Sequence, residues 1–597
     1  MGNLGNIRLL LWATLAALLY LNYEAWMHDY PATPADASNA APASAKPAPA
    51  LGDSVPQAAT GGTAEAPAPA ATSSSGAPGT ASPASADQTF GPPPSLPTGA
   101  PTAGVLTTES PAAVPSAAPL LLHVVTDVYD ISINLKGGEV DRADLLEYPL
   151  RKDTPHTPVR LESREPPATL YLLQSGLAGS AGESAPTHLA MWQSAENTYT
   201  LAPGADELRV PLTWSEQGLK VTKTFVFKRG GYAIALEYEV KNDGTADRKL
   251  ASYAQILSHW EHASRSYFDV ETYSFKGPAV YDGSKYKDLN VENDTESKYS
   301  SLVTGGWLAS LQHQFVTAIV PSAGKAYQYQ LQVRNHEYLL SATGPTVDVP
   351  PGATQTFHEE LFIGPKLQSQ LAAVGTSLER TVDFGILTVL AQPLFAGLNF
   401  VHKLIGNWGW SIIIVTALIK LLFYPLSQAS GRSMAKMRAV GPRMKQIQDS
   451  FKEDREKLGR AMMELYKKEK INPLAGCLPM LVQVPVFISF YRVLLESVEM
   501  RQAPFLLWIN DLSSRDPFFV LPLLMGGSMF AQFKLNPPPP DPTQAKVMQF
   551  MPVVMTGMMA WFPSGLVLYW LTNTVLSILQ QWRVNQVVTA EANKPRS

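Results

Sequence analysis

The chain has 597 residues, of which 45% are hydrophobic and 16% are charged, and its formal net charge is -4. Residues 24–382 carry 24 Lys and Arg against 38 Asp and Glu, whereas residues 383–597 carry 22 against 13. This length allows two or three domains, and the uneven charge suggests halves that face different compartments or partners. The single cysteine, Cys477, excludes an intramolecular disulfide and has no obvious histidine partner for nucleophilic chemistry.

The first predicted element is a membrane anchor. A short positive start, MGNLGNIR, precedes the apolar run LLLWATLAALLYLNY. No small-x-small cleavage site follows, so we predict a retained transmembrane anchor over 1–25, with a cytoplasmic N-terminus, rather than a cleaved signal peptide. Residues 26–119 are almost wholly Ala, Pro, Ser, Thr and Gly. They predict a disordered, extended linker, for which a plain spacer is favoured over a binding role.

Residues 120–370 alternate apolar and polar side chains, as in DVYDISINL and YAIALEYEVKNDG. A period of two with β-branched and aromatic residues predicts a largely antiparallel all-β domain. This domain is acidic and contains no apolar span, so we place it across the membrane from the N-terminus. His259 and His262 have a spacing that could ligate zinc, but no third ligand is apparent, and ordinary hydrogen-bonded histidines are favoured.

Residues 371–597 are membrane-like. Residues 384–405 are apolar on one side and contain Pro393, which predicts a helix lying in the membrane interface. Five predicted transmembrane helices follow, at about 408–426, 477–497, 516–534, 547–562 and 565–584. With the anchor these make six spans and place both termini in the cytoplasm. The positive-inside rule supports this topology, because residues 427–475 hold 12 Lys and Arg against 6 Asp and Glu.

The same segment, 427–475, predicts a cytoplasmic helical hairpin. Pro442 starts or kinks its first arm. Apolar residues recur at spacings of three and four, and charges fill the other faces. The residues of interest are the apolar Met437, Val440, Met444, Ile447, Phe451, Leu458, Met462 and Leu465, and the charged Arg438 and Lys445. Two interpretations of the surplus charge remain: contact with a client chain or ribosome, or topology and attraction to lipid headgroups.

Lys420 interrupts the apolar stretch SIIIVTALIKLLFYPLSQ. A charge at the centre of a membrane helix costs roughly 2.5–3.5 kcal/mol, so such residues are usually functional. On one α-helix, Thr416, Lys420 and Tyr424 form a polar stripe. Other spans contribute Gln483, Tyr569, Thr572 and Asn573. We expect these groups to meet in the bundle interior or in a watered cavity; snorkelling of Lys420 and ordinary interhelical hydrogen bonds are the alternatives.

Several stretches, in order along the chain, resemble the YidC-type membrane protein insertase family of Gram-negative bacteria. They are TDVYDISINLKGGEVDRADLLEYPL, GNWGWSIIIVTALIKLLFYPL, SMAKMRAVGPRMKQI, KINPLAGCLPMLVQVPVF, DPFFVLPLLMGGSMF and WFPSGLVLYWLTN. The resemblance is densest over 401–584. It implies a multidomain protein of the bacterial inner membrane: a polytopic helical bundle plus a periplasmic β-supersandwich. The implied partners are nascent membrane proteins, the Sec translocon with its accessory subunits, and the ribosome.

The resemblance also implies a hydrophilic groove that is open to the cytoplasm and to lipid but closed to the periplasm. The key charge of the groove is usually an arginine, and Lys420 occupies the matching position. Lysine keeps the positive charge but lacks the planar fork of a guanidinium. Thr416, Tyr424 and Tyr569 match other groove positions, and Trp570 stands where a second tyrosine is common.

We therefore predict an insertase and chaperone that works alone or with the Sec translocon. It is not expected to be an enzyme or to need a nucleotide, metal or other cofactor, because the sequence has no GxxxxGK, HExxH or GxSxG motif. Two alternatives remain at this stage. One is a small-solute transporter that uses Lys420 as a midplane site. The other is a membrane-tethered carbohydrate enzyme that acts through the β domain.

Overall fold

The computed structural model describes residues 50–56, 121–165, 169–180, 183–261, 274–451, 454–469, 478–535 and 542–592. From Leu51 onward the chain forms one compact unit. The predicted anchor, most of the predicted linker, Cys477 and His262 lie outside the described residues.

The β region between Leu121 and Pro365 forms two sheets. Among the described residues, the larger sheet has eleven strands: β1 (Leu121–Val125), β2 (Tyr129–Asn134), β3 (Glu139–Arg151), β4 (Thr154–Ser163), β5 (Tyr171–Gly179), β6 (Thr198–Thr200), β10 (Arg248–His259), β13 (Ser300–Thr304), β16 (Ala326–Arg334), β17 (Glu337–Thr343) and β18 (Val347–Val349). The smaller sheet has eight: β7 (Glu207–Glu216), β8 (Leu219–Lys228), β9 (Ala233–Asn242), β11 (Gly277–Tyr281), β12 (Tyr286–Asp288), β14 (Trp307–Gln312), β15 (Phe315–Pro321) and β19 (Thr354–Pro365).

Strand order in the larger sheet is β13-β16-β17-β10-β5-β4-β3-β2-β1-β6, with β18 also paired to β10. The smaller sheet runs β12-β11-β14-β15-β19-β9-β8-β7. The pairings are antiparallel except for that of β1 with β6. Both sheets contribute to one hydrophobic core; β9, for example, buries Ile234, Leu236 and Tyr238 at alternate positions. The predicted antiparallel β-sandwich is therefore confirmed.

The helices follow the β region. They are α1 (Gln368–Val374), α2 (Thr388–Ile405), α3 (Trp408–Leu422), α4 (Tyr424–Ala439), α5 (Gly441–Ser450), α6 (Arg455–Lys468), α7 (Leu478–Glu496), α8 (Val520–Leu535), α9 (Pro542–Met559) and α10 (Ser564–Ala592). Helix α10 packs against α3, α4, α7 and α8, while α2 packs against α3 and α7. This arrangement places α10 at the centre of the helical region.

The predicted span 408–426 is not one straight helix. It breaks at Phe423, and the two pieces are bent by 64°. Pro425 explains the break, because proline has no N–H to donate and its ring clashes with the carbonyl of the preceding turn. Within the described ranges, no single helix meets the length and hydropathy needed to cross a membrane. Helix α3 taken together with Tyr424–Ser433 does meet them, and α8 is a shorter apolar helix.

The hairpin segment contains α5 and α6, which pack against each other. Their contact is a small apolar cluster built on Val440, Met444 and Leu465. Arg443 Nη1 lies 2.7 Å from Glu469 Oε1 and closes the open end of the pair. The cluster is much smaller than the main core, so this pair of helices is held by few buried contacts.

Polar contacts join the β domain to the helical region. The guanidinium of Arg501 donates to the carbonyl of Pro149 at 2.9 Å, and Ser274 Oγ donates to Glu496 Oε1 at 2.6 Å. His313 Nε2 lies 2.9 Å from the carbonyl of Leu495. The last turn of α7 and the loop after it thus form this junction.

Candidate functional site

A cavity of about 40 Å³, with polar groups among a largely apolar lining, lies between α3, α4, α7 and α10. Its polar lining includes Thr416, Lys420, Gln483, Tyr569 and Asn573. The rest of the lining is Ile419, Phe423, Leu426, Ser427, Val482 and Val486. Five side chains that the sequence analysis selected on three separate helices therefore share one space.

Lys420 is held towards the central helix α10. Its Nζ donates a hydrogen bond of 2.7 Å to Ser577 Oγ, and this hydroxyl in turn donates to the carbonyl of Asn573, also at 2.7 Å. In the described part of the chain, no Asp or Glu side chain pairs with Lys420. The ammonium group has three N–H donors, so donors remain for a ligand in the cavity.

Two other polar groups of the cavity are held in place, Thr416 by its own helix and Tyr569 by α7. Thr416 is only 2% exposed, and its hydroxyl donates to the carbonyl of Ile412 at 2.6 Å. The ring of Tyr569 stacks on Phe490 with centroids 4.2 Å apart. Such packing limits rotamer freedom, so the cavity wall keeps its shape when the cavity contents change.

Tyr424 and Trp570, which were also predicted to line the groove, lie outside the lining of the main cavity. Because the helix breaks at Phe423, Tyr424 turns away from the stripe of Thr416 and Lys420 and lines a second, smaller cavity. The other residues around that cavity are Gln428, Arg432, Arg583 and Val584. Trp570 places its ring edge-to-face against Phe487 at 4.7 Å and does not line the main cavity.

Ser427, in the cavity lining, and Ser577, the partner of Lys420, were not selected from the sequence. Ser577 is the more informative of the two. It follows Asn573 by four positions and Tyr569 by eight, so it lies on the same face of α10. Helical spacing alone was sufficient to find it, but serine is common in helices and drew no attention beside a tyrosine and an asparagine.

The hairpin residues take two kinds of position. Met444 is buried, and Met437 and Met462 pack partly buried against the cluster that it forms. Lys445 is exposed on the opposite surface. The side chain of Arg438 lies outside the described residues.

The described histidine of the predicted pair, His259, is not part of a metal site. His259 Nε2 lies 3.9 Å from Glu261 Oε1, and the predicted second ligand, His262, is outside the described residues. Among the side chains that the structure describes, no group of three His, Cys, Asp or Glu is placed to hold a metal ion.

Comparison with known families divides the chain into two parts, with the boundary inside α2. Residues 121–396 match the family described as YidC periplasmic domain, and residues 400–591 match the family described as 60Kd inner membrane protein. The chain belongs to the YidC family of membrane protein insertases. The resemblance on which the sequence analysis relied is thereby confirmed.

Relatives match over most of this length. A protein named membrane protein insertase YidC from Thioalkalivibrio sulfidiphilus is 46% identical over 515 residues, covering 84% of this chain and 91% of that protein. A protein of the same name from Stutzerimonas stutzeri is 42% identical over 589 residues, which cover 98% of this chain and 99% of that protein. A solved YidC insertase aligns with 78% of this chain and 92% of that one, at 16% identity and a TM-score of 0.35. None of these relatives supports the transporter alternative, and none is named as an enzyme.

Proposed function

We propose that this chain inserts membrane proteins into the inner membrane of a Gram-negative cell, and that client segments pass through the Lys420 cavity. The observation that carries this proposal is the positive charge of Lys420 in a cavity among apolar helices, where the neutral hydroxyl of Ser577 is its one hydrogen-bond partner among the residues that the structure describes. A charge without a carboxylate partner, at a site with free donors, is suited to acidic groups that arrive and leave.

The physical problem for an insertase is the cost of taking polar groups through hydrocarbon. Each unpaired polar group costs several kcal/mol. A polar cavity that reaches partway into the bilayer shortens this path, and its fixed positive charge attracts acidic residues of the passing segment. The apolar client helix then leaves sideways into lipid. Burial of that helix is downhill, so the step needs no nucleotide.

The topology proposed with this function has six spans. The anchor 1–25 forms the first, and the bent pair α3–α4, with α7, α8, α9 and α10, supplies the others. Both termini and the α5–α6 hairpin would face the cytoplasm, and the β domain the periplasm. Support comes from the basic composition of 427–475 and from the many exposed apolar side chains of these helices.

The proposed partners are nascent membrane proteins, the lipid bilayer, the Sec translocon and, through the hairpin, the ribosome. The exposed Lys445 and its basic neighbours are the side chains that we assign to a negatively charged surface on the cytoplasmic side.

The test compares client insertion by the full chain with Lys, Arg, Leu or Glu at position 420. The client is a short membrane protein whose translocated tail carries zero, one or two acidic residues. We expect Lys420→Arg to retain activity, and Lys420→Leu and Lys420→Glu to lose it, with the greatest loss for the two-acid client. Insertion into proteoliposomes, measured by protease protection of the tail, gives the yields.

Lys534→Leu is the matched control, because Lys534 is an exposed cation near the end of α8, outside the cavity, and contacts the ring of Phe530. It should insert all three clients like the unmodified chain. If the four side chains at 420 give equal yields with every client, Lys420 only snorkels and the groove proposal is wrong.

A further inference from the structure

A short piece of the predicted linker is not extended. Leu51–Asp53 form a 3-10 turn that packs on the β domain, and Leu51 is only 2% exposed. The linker sequence was predicted to be disordered throughout 26–119, so residues 50–56 differ from that prediction. The physical reason for this difference is the surface of the β domain that residues 51–54 contact.

That surface is the outer face of the larger sheet. Leu257 on β10 pairs with Leu172 on β5 and, on its other side, with Leu339 on β17. These three leucines form one row across three strands, separate from the main core, and Leu51 packs into them. Without Leu51, this row would leave an apolar patch facing water. Its burial accounts for this part of β5 and β10, which are buried on both faces, while the chain around Pro186 covers β5 at Gly176.

Polar side chains two positions along the same strands hold the backbone of the segment. Gln174 Nε2 donates to the carbonyl of Gly52 at 3.3 Å, and Gln255 Nε2 donates to the carbonyl of Ser54 at 3.3 Å. The two amides are themselves joined, since Gln255 Nε2 also donates to Gln174 Oε1 at 2.8 Å. Hydrogen bonds to carbonyls recognise a peptide backbone rather than a particular side chain.

His188 adds a third contact. Its Nε2 lies 3.0 Å from the carbonyl of Gly52, and its Nδ1 lies 2.7 Å from the hydroxyl of Tyr253. Burial lowers the pKa of His188 to about 4, so the ring is neutral near pH 7. The carbonyl can only accept, so Nε2 carries the proton and Nδ1 accepts from the tyrosine.

The site also selects a small residue after the leucine. A Cβ built on Gly52 would lie 2.9 Å from Leu257 Cδ2. A branched side chain at this position therefore needs Leu257 to move, although Leu257 is itself buried among the other leucines. The recognised element is a leucine, then a glycine, then backbone carbonyls.

We propose that the outer face of β5, β10 and β17 is a peptide-docking site whose ligand is the chain's own linker segment Leu51–Ser54. Docking divides the linker in two. Residues 56 and 121 both belong to the unit that contains the β domain, so docking leaves residues 26–50 as the stretch of chain between the predicted anchor and this site. The site thus sets how much chain separates the anchor from the β domain.

The experiment places a photoreactive diazirine analogue of leucine at position 51 of the full chain and maps the crosslinks by mass spectrometry. We expect crosslinks to the strands that carry Leu172, Leu257 and Leu339. The same analogue at Val105, elsewhere in the linker, should give no preference for these strands. Equal crosslink maps from positions 51 and 105 would overturn the proposal.

A second variant tests the steric selection without touching the sheet. Gly52→Val should remove most of the crosslink from position 51, whereas Gly61→Val, a matched change in the same linker, should leave it intact. If Gly52→Val keeps the full crosslink yield to the three strands, Leu51 binds there without the proposed selection of glycine, and the docking site as described is wrong.

Discussion

The β domain and the helical region treat a buried lysine in opposite ways. Lys223, inside the β-sandwich, donates to the carbonyls of Gly138 at 2.6 Å, Ser175 at 3.1 Å and Gly137 at 3.4 Å. All three of its donors are used. Lys420 donates to one hydroxyl and borders a cavity. A buried charge whose hydrogen bonds are complete serves the fold, whereas one with donors left over is available to a ligand.

The two regions also differ in how many large apolar side chains their surfaces expose. Most of the large apolar side chains that are well exposed lie in the helical region, among them Leu421, Leu422 and Val553 at 66%, 74% and 68%. The β domain exposes fewer of them, among them Leu150 and Leu302, and Leu51 covers its outer leucine row. Exposed apolar side chains in such number indicate a lipid or protein surface rather than water. We therefore expect clients to contact the helices and the β domain to have a supporting role.

The largest effect that we expect comes from the hairpin. Replacing residues 433–470 by a short linker should abolish client insertion, because the hairpin joins the helices that carry Lys420 and Gln483 and carries the basic surface that we propose faces the cytoplasm. Its cluster of Val440, Met444 and Leu465 makes few contacts with the rest of the chain, so the variant should still integrate into the membrane.

Carbonate extraction checks the integration of the hairpin variant, and protease protection of a client tail measures its insertion activity. A variant that is integrated and inserts at the full rate would show that the helical cavity works without the hairpin.

We expect Ser577→Ala to reduce client insertion by less than the hairpin replacement does. The hydroxyl of Ser577 orients Lys420, and a hydrogen bond to a charged group contributes about 1.5–3 kcal/mol. We expect a several-fold fall in insertion of clients with acidic tails and little change for tails without acids. Ser528→Ala is the control, since the Ser528 hydroxyl donates only to the carbonyl of Met525 within α8. Equal losses for neutral and acidic tails would contradict an orienting role.

The site was predictable as far as periodicity reaches. Thr416, Lys420, Gln483, Tyr569 and Asn573 were selected as polar residues in apolar runs, and the structure brings them together. Helical periodicity assumes one straight helix, so it gives a wrong position for any residue that lies beyond a break in the helix. Pro425 breaks the helix, so the position of Tyr424 could not be read from a spacing of four.

The fold was predictable to a similar extent. Alternation predicted the strands but not which strands are covered on both faces, because that depends on sheet order and on Leu51, which is remote in sequence. The near-continuous apolar runs of β5 and β10 carry that information, since strands buried on both faces lose their alternation. Neither run identifies what covers the second face.

Deletion of residues 31–365 should have less effect on insertion than either change above. No side chain of the β domain lines the cavity. The groups that deletion uncovers include Arg501 and Gln502, which donate to the carbonyl of Pro149 and can bind water instead. We expect substantial insertion of the same clients by this variant. Complete loss of insertion, with a stable and membrane-integrated variant, would place an essential element in the β domain.

The smallest effect concerns stability alone, and it comes from the carboxyl group of Glu162. Burial raises its pKa to about 8, although Thr317 Oγ1 donates to Glu162 Oε1 at 2.7 Å and opposes the shift. Between the ordinary carboxyl pKa and about 8, the folded state keeps a proton that the unfolded state has released. The free energy of unfolding therefore falls as pH rises through this window, by at most about 1.4 kcal/mol per pH unit.

Glu162→Gln replaces the neutral acid by an amide of similar shape that still accepts from Thr317, so it should remove this part of the pH dependence. Thermal unfolding of the β domain within the full chain, followed between pH 5 and 8, should show a shallower fall in Tm for Glu162→Gln than for the unmodified chain. Glu216→Gln, at an exposed carboxylate on β7, should keep the original slope, and none of these chains should differ in client insertion at pH 7. An unchanged slope in Glu162→Gln would mean that Glu162 ionises in the folded domain with water or another group as its partner. In that case the β domain, like the helical region, would hold a buried charge whose hydrogen bonds its own fold does not complete.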